Sequence, residues 1–113
     1  MNKSNNPISI SRYIALKTAD SLDKEIMQSW FKMANKLLPN GVLTTIQTTD
    51  DKGSLRGVSM VHREVADRYE CLIPLSRDLS DSEVQPLVDS FSEKYPDLDF
   101  DIEVSSSQVG SWK

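Results

Sequence analysis

The chain has 113 residues, which is the length of one domain. Its 13 lysines and arginines against 17 aspartates and glutamates give a net charge of −4, and one cysteine with one histidine excludes an internal disulfide and leaves too few ligands for a tetrahedral Cys/His zinc site. There is no apolar run of membrane-spanning length and no signal-peptide pattern. We therefore expect a cytoplasmic protein with no membrane segment, metal or cofactor.

Apolar periodicity predicts seven elements between two polar tails. The first helix has the clearest signal, because a wide apolar stripe runs from Leu22 to Leu38, with Asp20 or Ser21 as its cap and Pro39 directly after it. The prediction in chain order is a tail at 1–7, a strand at 8–17, a helix ending at 38, strands at 42–49, 55–63 and 68–75, a helix at 80–94, a strand at 98–104 and a tail at 105–113.

The second helix and the last strand have their own local signals. Ser80 and Glu83 have the spacing of a capping box, although Pro86 favours a start nearer Ser82. In the last strand, apolar and acidic residues alternate strictly, which is typical of a strand with one buried and one solvated face. Between strands two and three, the polar loop at 50–54 suits a hairpin.

The element order β-α-β-β-β-α-β predicts an α+β fold. We expect a two-layer sandwich, in which two amphipathic helices cover one face of a mainly antiparallel sheet. With right-handed crossovers this is a ferredoxin-like variant with an extra strand. The single domain is expected to span 8–104.

Charge is distributed unevenly along the chain. The segment 78–104 contains nine acidic residues and one lysine, a net charge of −8, whereas the remainder carries +4. Such asymmetry steers and orients a basic partner. Our leading hypothesis is a non-catalytic protein (an inhibitor, immunity-type protein or accessory subunit) that binds a basic protein surface through an acidic lobe. The predicted partner-binding residues are Asp89, Glu93, Asp97, Asp99, Asp101, Glu103 and Trp112.

Other interpretations of these residues remain open at this level. The acidic row of the last strand is also what a solvated edge needs to resist aggregation, or it is a divalent-metal site. An EF-hand is excluded, because Ile102 stands where glycine is required and Gln108 where the bidentate glutamate belongs. Trp112 lies in a polar tail, which favours docking onto another chain.

Catalysis has two candidate side chains. His62 is available as a base beside a serine and an acidic residue, but no serine lies in a Gly-x-Ser-x-Gly elbow. Cys71 shares a strand face with Tyr69, Ile73 and Leu75, which predicts a buried, inert thiol. We therefore expect no catalytic residue, and a small enzyme built on His62 is a minor alternative.

Two further partners remain as alternatives. One is nucleic acid, whose binding would fall steeply with salt. It would use the basic remainder of the domain, namely Lys3, Arg12, Lys52, Arg56, Arg63 and Arg68. The other is a second copy of the chain, which would form a homodimer if Val58, Met60 or Leu72 made the open sheet face adhesive.

Overall fold

The computed structural model describes residues 12–104 in full and the backbone of 8–9, 105 and 111–112. Its elements are β1 (Ile8–Ser9), β2 (Tyr13–Thr18), α1 (Lys24–Leu37), β3 (Ile46–Thr49), β4 (Leu55–Val58), β5 (Val61–Val65), β6 (Arg68–Pro74), α2 (Asp81–Lys94), β7 (Phe100–Ser105) and β8 (Ser111–Trp112).

Four strands form the central sheet, in the order β5-β6-β2-β7, and all neighbouring pairs are antiparallel. Both helices pack on one face of it, so the predicted α+β sandwich is confirmed. The ferredoxin-like designation stays a prediction. Two short ladders, β3-β4 and β1-β8, lie outside this sheet.

The main core lies between the sheet and the helices. It takes alternate side chains from the two central strands, such as Ile14 and Ile73, both fully buried. Trp30 of α1 and Phe91 of α2 meet edge to face with 6.0 Å between ring centroids, and Phe100 of β7 contacts Phe91 at 4.9 Å. These aromatic contacts hold the edge strand β7 against the helical layer.

Side-chain caps set the start of each helix. Asp23 caps α1 by accepting a hydrogen bond from the backbone N–H of Ile26 at 2.8 Å, so the helix begins later than a cap at Asp20 or Ser21 would place it. The capping box of Ser80 and Glu83 is present at α2. Pro86 lies inside α2, in its exposed second turn, where solvent can satisfy the carbonyl that proline leaves unpaired.

The predicted strand at 55–63 is two strands. β4 pairs with β3, whereas β5 pairs with β6. Upstream, Leu43 bridges to the residue after β6, and Thr44 donates a backbone hydrogen bond to the last carbonyl of β6 at 3.1 Å. Leu43 and Thr44 therefore occupy the line that β5 would follow beyond Val61. The hairpin at 45–59 is an insertion into a single edge strand.

The two ends of the domain pair with each other. The strand predicted at 8–17 is seen as β1 and β2, and β1 pairs antiparallel with β8, which falls in the predicted tail at 105–113. The last strand begins at Phe100, because the backbone N–H of Leu98 bonds to the carbonyl of Tyr95 in a turn after α2. Residues 1–7 of the predicted N-terminal tail lie outside the described residues.

Candidate functional site

The strand β7 forms one edge of the central sheet. Its side chains alternate between two rows, with Phe100, Ile102 and Val104 half-buried beneath the helices and Asp101 and Glu103 exposed on the opposite face. Among the described residues, β7 pairs only with β2. Its outer backbone groups therefore face away from the sheet.

The acidic row is shorter in the strand than the sequence pattern predicts. Asp97 lies in the turn after α2, and Asp99 lies directly before the strand. Only Asp101 and Glu103 belong to β7 itself.

Glu103 belongs to an ion-pair network on the open face of the sheet. Its carboxylate lies 2.6 Å from the ammonium of Lys17, which lies 3.8 Å from Glu70. On the other side, Glu70 accepts a hydrogen bond from Arg63 at 3.0 Å. The network spans four strands, and the Glu70 side chain at its centre is only 7% exposed.

The environment of Lys17 favours its charged form. Burial lowers the pKa of Lys17, but the hydrogen bond that it donates to Glu103 and the charges of Glu103 and Glu70 outweigh burial, so the net shift is upward. By linkage, this stabilises the fold below the ordinary lysine pKa, and the contribution is lost as the pH rises through the folded-state value. Glu103 is therefore committed to an intramolecular contact at neutral pH.

The other three carboxylates are available. Asp97, Asp99 and Asp101 are exposed and make no ion pair with another residue of the described range 12–105. We call these three residues the acidic edge. Two of them line a shallow depression of about 290 Å³ at the end of the sheet. Its lining is Lys17, Thr18, Ala19, Asp67, Arg68, Asp99, Phe100 and Asp101.

The acidic residues of α2 lie on a different surface. Asp89 is exposed in the helical layer and accepts a hydrogen bond from Gln85 at 2.8 Å. Glu93 borders a groove between the two helices, beside Lys36 and Lys94. The predicted acidic lobe is thus divided between the helical layer and the edge of the sheet. The backbone of Trp112 lies in β8, and its side chain lies outside the described residues.

Part of the negative charge of segment 78–104 is neutralised from outside the segment. Arg12 pairs with Asp78 at 3.0 Å, and Arg77 pairs with Glu83 at 2.9 Å. The hydrogen bond from Arg77, together with that from the backbone of Ser80, lowers the pKa of Glu83 to about 2. The acidic edge differs from these residues because, within the part of the chain that the structure describes, it forms no ion pair.

The two catalytic candidates are placed very differently. His62 is exposed on β5, and Cys71, its neighbour in register on β6, is fully buried. Burial raises the pKa of the Cys71 thiol to about 12, so it is protonated at neutral pH. The predicted buried thiol is confirmed. In the described part of the chain, no three His, Cys, Asp or Glu side chains are grouped so that they could hold a metal ion.

The residues proposed for nucleic-acid binding lie in several different elements. Arg12 and Arg63 are held in ion pairs, and Arg68 lines the depression beside Asp67. Lys52 and Arg56 lie in the β3-β4 hairpin, and Lys3 lies outside the described residues.

The open face of the sheet contains a second apolar cluster that the sequence analysis missed. Tyr13, Ala15 and Leu72 are buried there, packed against Val61 and against Ile46 from the hairpin. Leu72 is therefore not exposed for dimerisation. Of the other two candidates, Met60 packs against the helix-side core and Val58 is half-buried in the hairpin.

Comparisons of the chain with protein-family models, with curated proteins and with solved structures return no match. Within the described residues, no helix is long and apolar enough to cross a membrane.

Proposed function

We propose that this protein is a small non-catalytic binding protein, of the inhibitor, immunity-type or accessory-subunit kind, which recognises a basic surface on another protein. The contact surface is the acidic edge. One observation supports this most strongly. Among the described residues, Asp97, Asp99 and Asp101 form no ion pair, whereas Asp78, Glu83 and Glu103 in the same segment each form one.

This difference between paired and unpaired carboxylates matters because an unpaired charge is energetically unfavourable beside another charge of the same sign. Asp99 and Asp101 line one depression, so their negative charges repel each other, and neither forms an ion pair with another described residue. A basic partner surface removes that repulsion on binding and is steered toward the edge before contact. The three paired carboxylates attract such a partner less strongly, because a neighbouring cation already offsets their charge.

The surroundings of the catalytic candidates also favour binding over catalysis. A thiol with a pKa of about 12 is a poor nucleophile at neutral pH. The imidazole of His62 is exposed at the opposite edge of the sheet from β7. A binding role needs neither group.

Affinity capture from the native host tests the proposal, with bound proteins identified by mass spectrometry. The test variant neutralises the acidic edge with Asp97→Asn, Asp99→Asn and Asp101→Asn, and we call it the edge variant. Capture is performed at low salt and at about 0.3 M salt, where exposed charges are largely screened.

A matched control removes the same amount of charge elsewhere. The control variant carries Asp20→Asn, Asp51→Asn and Glu64→Gln, three exposed side chains outside the acidic segment. We expect a partner that the wild type and the control variant retain at low salt and that the edge variant loses. Equal retention by both variants, or no captured protein at all, would contradict the proposal.

A further inference from the structure

We propose that β7 binds its partner by strand addition: an extended basic segment of the partner pairs with the free edge of β7 and becomes a fifth strand of the sheet. This inference rests on the proposed function, and it specifies the form of the partner. It requires an open edge, a reason for choosing that edge and a side-chain pattern that selects the incoming strand.

Among the described residues, no strand pairs with the outer edge of β7. In β2, Ile14, Ala15 and Leu16 are fully buried, as expected of a central strand. In β7, every residue from Phe100 to Val104 keeps part of its surface exposed. An edge strand of six residues offers enough outward N–H and C=O groups for a partner strand.

The opposite edge of the sheet is less suitable. β5 is one residue shorter than β7, and the hairpin at 45–59 projects from the same edge immediately before it. The hairpin interrupts the line along which an added strand would extend. β5 also presents mixed charges, with His62, Arg63 and Glu64 in succession. β7 is therefore the edge that can extend the sheet.

The two rows of β7 define the sequence of the incoming strand. On the open face, Asp101 and the preceding Asp99 call for lysine or arginine at alternate positions. On the helical face, Ile102 and Val104 are only half-buried, so an apolar side chain beside them would complete the edge of the core. The partner segment alternates basic and apolar residues.

The same carboxylates disfavour pairing between two copies of this chain. Two β7 edges would place like charges side by side, which is destabilising for directly opposed residues. A basic strand meets no such repulsion. The acidic edge thus selects a basic strand and rejects a second copy of this chain. A surface that only prevents aggregation would reject a second copy but would not bind a basic strand.

Synthetic peptides test strand addition. The probe is a nine-residue peptide of alternating lysine and valine with blocked ends. Its control has the same sequence with N-methyl groups on four central amides, which keep the charge but remove backbone donors. Binding to the wild type, the edge variant and the control variant is measured by backbone-amide NMR, with hydrogen exchange at β7 as the structural readout.

We expect the unmethylated peptide to bind and to protect β7 amides from exchange. N-methylation and the edge variant should each weaken binding about tenfold or more, and the control variant about twofold or less. Equal binding of the two peptides would overturn strand addition and leave charge recognition standing. Absence of binding by both, or protection at β5 instead, would also overturn strand addition. Dimerisation of the edge variant without peptide binding by the wild type would assign the carboxylates to aggregation resistance alone.

Discussion

At the residue scale, Glu70 lies at the centre of the ion-pair network on the open face of the sheet. Its carboxylate lies between Arg63 on β5 and Lys17 on β2, and Lys17 continues to Glu103 on β7. A buried carboxylate is strongly unfavourable without such partners. The network therefore links all four strands on the open face, with Glu70 and Lys17 as its two shared side chains.

Removal of this carboxylate should destabilise the fold. We expect Glu70→Gln to lower the free energy of unfolding by about 1–3 kcal/mol, because it removes the buried carboxylate that Arg63 and Lys17 both contact. Urea unfolding measures the loss. The control is Glu64→Gln, an exposed residue of the neighbouring strand, which should change stability by less than about 0.5 kcal/mol. Equal effects of the two substitutions would remove the structural role of Glu70.

Glu83 predicts a specific pH dependence. Its pKa is lowered to about 2 from an ordinary value of 4.5, mainly by the hydrogen bond from Arg77. A depressed folded-state pKa stabilises the fold above the unfolded value and loses that effect as the pH falls through the folded value. The Tm difference between wild type and Glu83→Gln should therefore be largest near pH 7 and shrink between about pH 4.5 and 2.

Arg77→Gln is the matched control for this titration, because it removes the cause of the shift and leaves the carboxylate in place. The difference between its Tm and that of the wild type should likewise shrink between about pH 4.5 and 2. A constant Tm difference from pH 7 to pH 2 in both variants would contradict the assignment.

At the element scale, the hairpin insertion is the feature that periodicity does not reveal. Without the hairpin, the side chains on its two sides would alternate between the faces of the sheet as in one continuous strand. Leu43 and Met60 face the helices, whereas Thr44 and Val61 lie on the open face. A period-2 pattern is the same on both sides of the insertion, so it cannot show where pairing changes partner. Only the observed register separates the hairpin from the edge strand.

The register predicts a deletion that keeps the fold. Deletion of 45–59 joins Thr44 directly to Met60. The pairing observed on both sides of the hairpin then places these two residues opposite consecutive residues of β6. We expect a cooperatively folded protein, destabilised by about 1–2 kcal/mol through loss of the apolar contact that Ile46 makes. Circular dichroism and thermal unfolding provide the measurement.

The matched control is deletion of 45–60, which is longer by one residue. It joins Thr44 to Val61 and shifts every later side chain of the strand to the wrong face unless the chain bulges. This variant should lose cooperative unfolding. If both deletions fold equally well, the hairpin is not an insertion into one strand.

The sequence predicted the fold better than it predicted the site, for a physical reason. Local signals such as the capping box of Ser80 and Glu83 act within one turn, and they are confirmed. The pairing of Lys17 with Glu70 depends on which strands become neighbours. The available signal was a lysine in one largely apolar strand and a glutamate in another, but only the register of the two strands brings these charges together.

At the scale of the whole molecule, the charge asymmetry remains, but its location is narrower than the sequence indicates. Arg12, Lys17 and Arg77 supply cations to segment 78–104 from outside it. The acidic residues of α2 and those near β7 lie in different layers. The acidic edge forms no ion pair within the described residues, and it lies toward the border of the sheet opposite β5 and the hairpin.

The most direct test of this account is the affinity of the purified, captured partner for three forms of the protein, measured by isothermal titration calorimetry at low salt. The edge variant should bind about tenfold or more weakly than the wild type, and the control variant should bind within about twofold of it, because both variants lose the same net charge and only the edge variant loses the contact. Equal affinities of the edge and control variants would contradict the claim that Asp97, Asp99 and Asp101 form the binding surface.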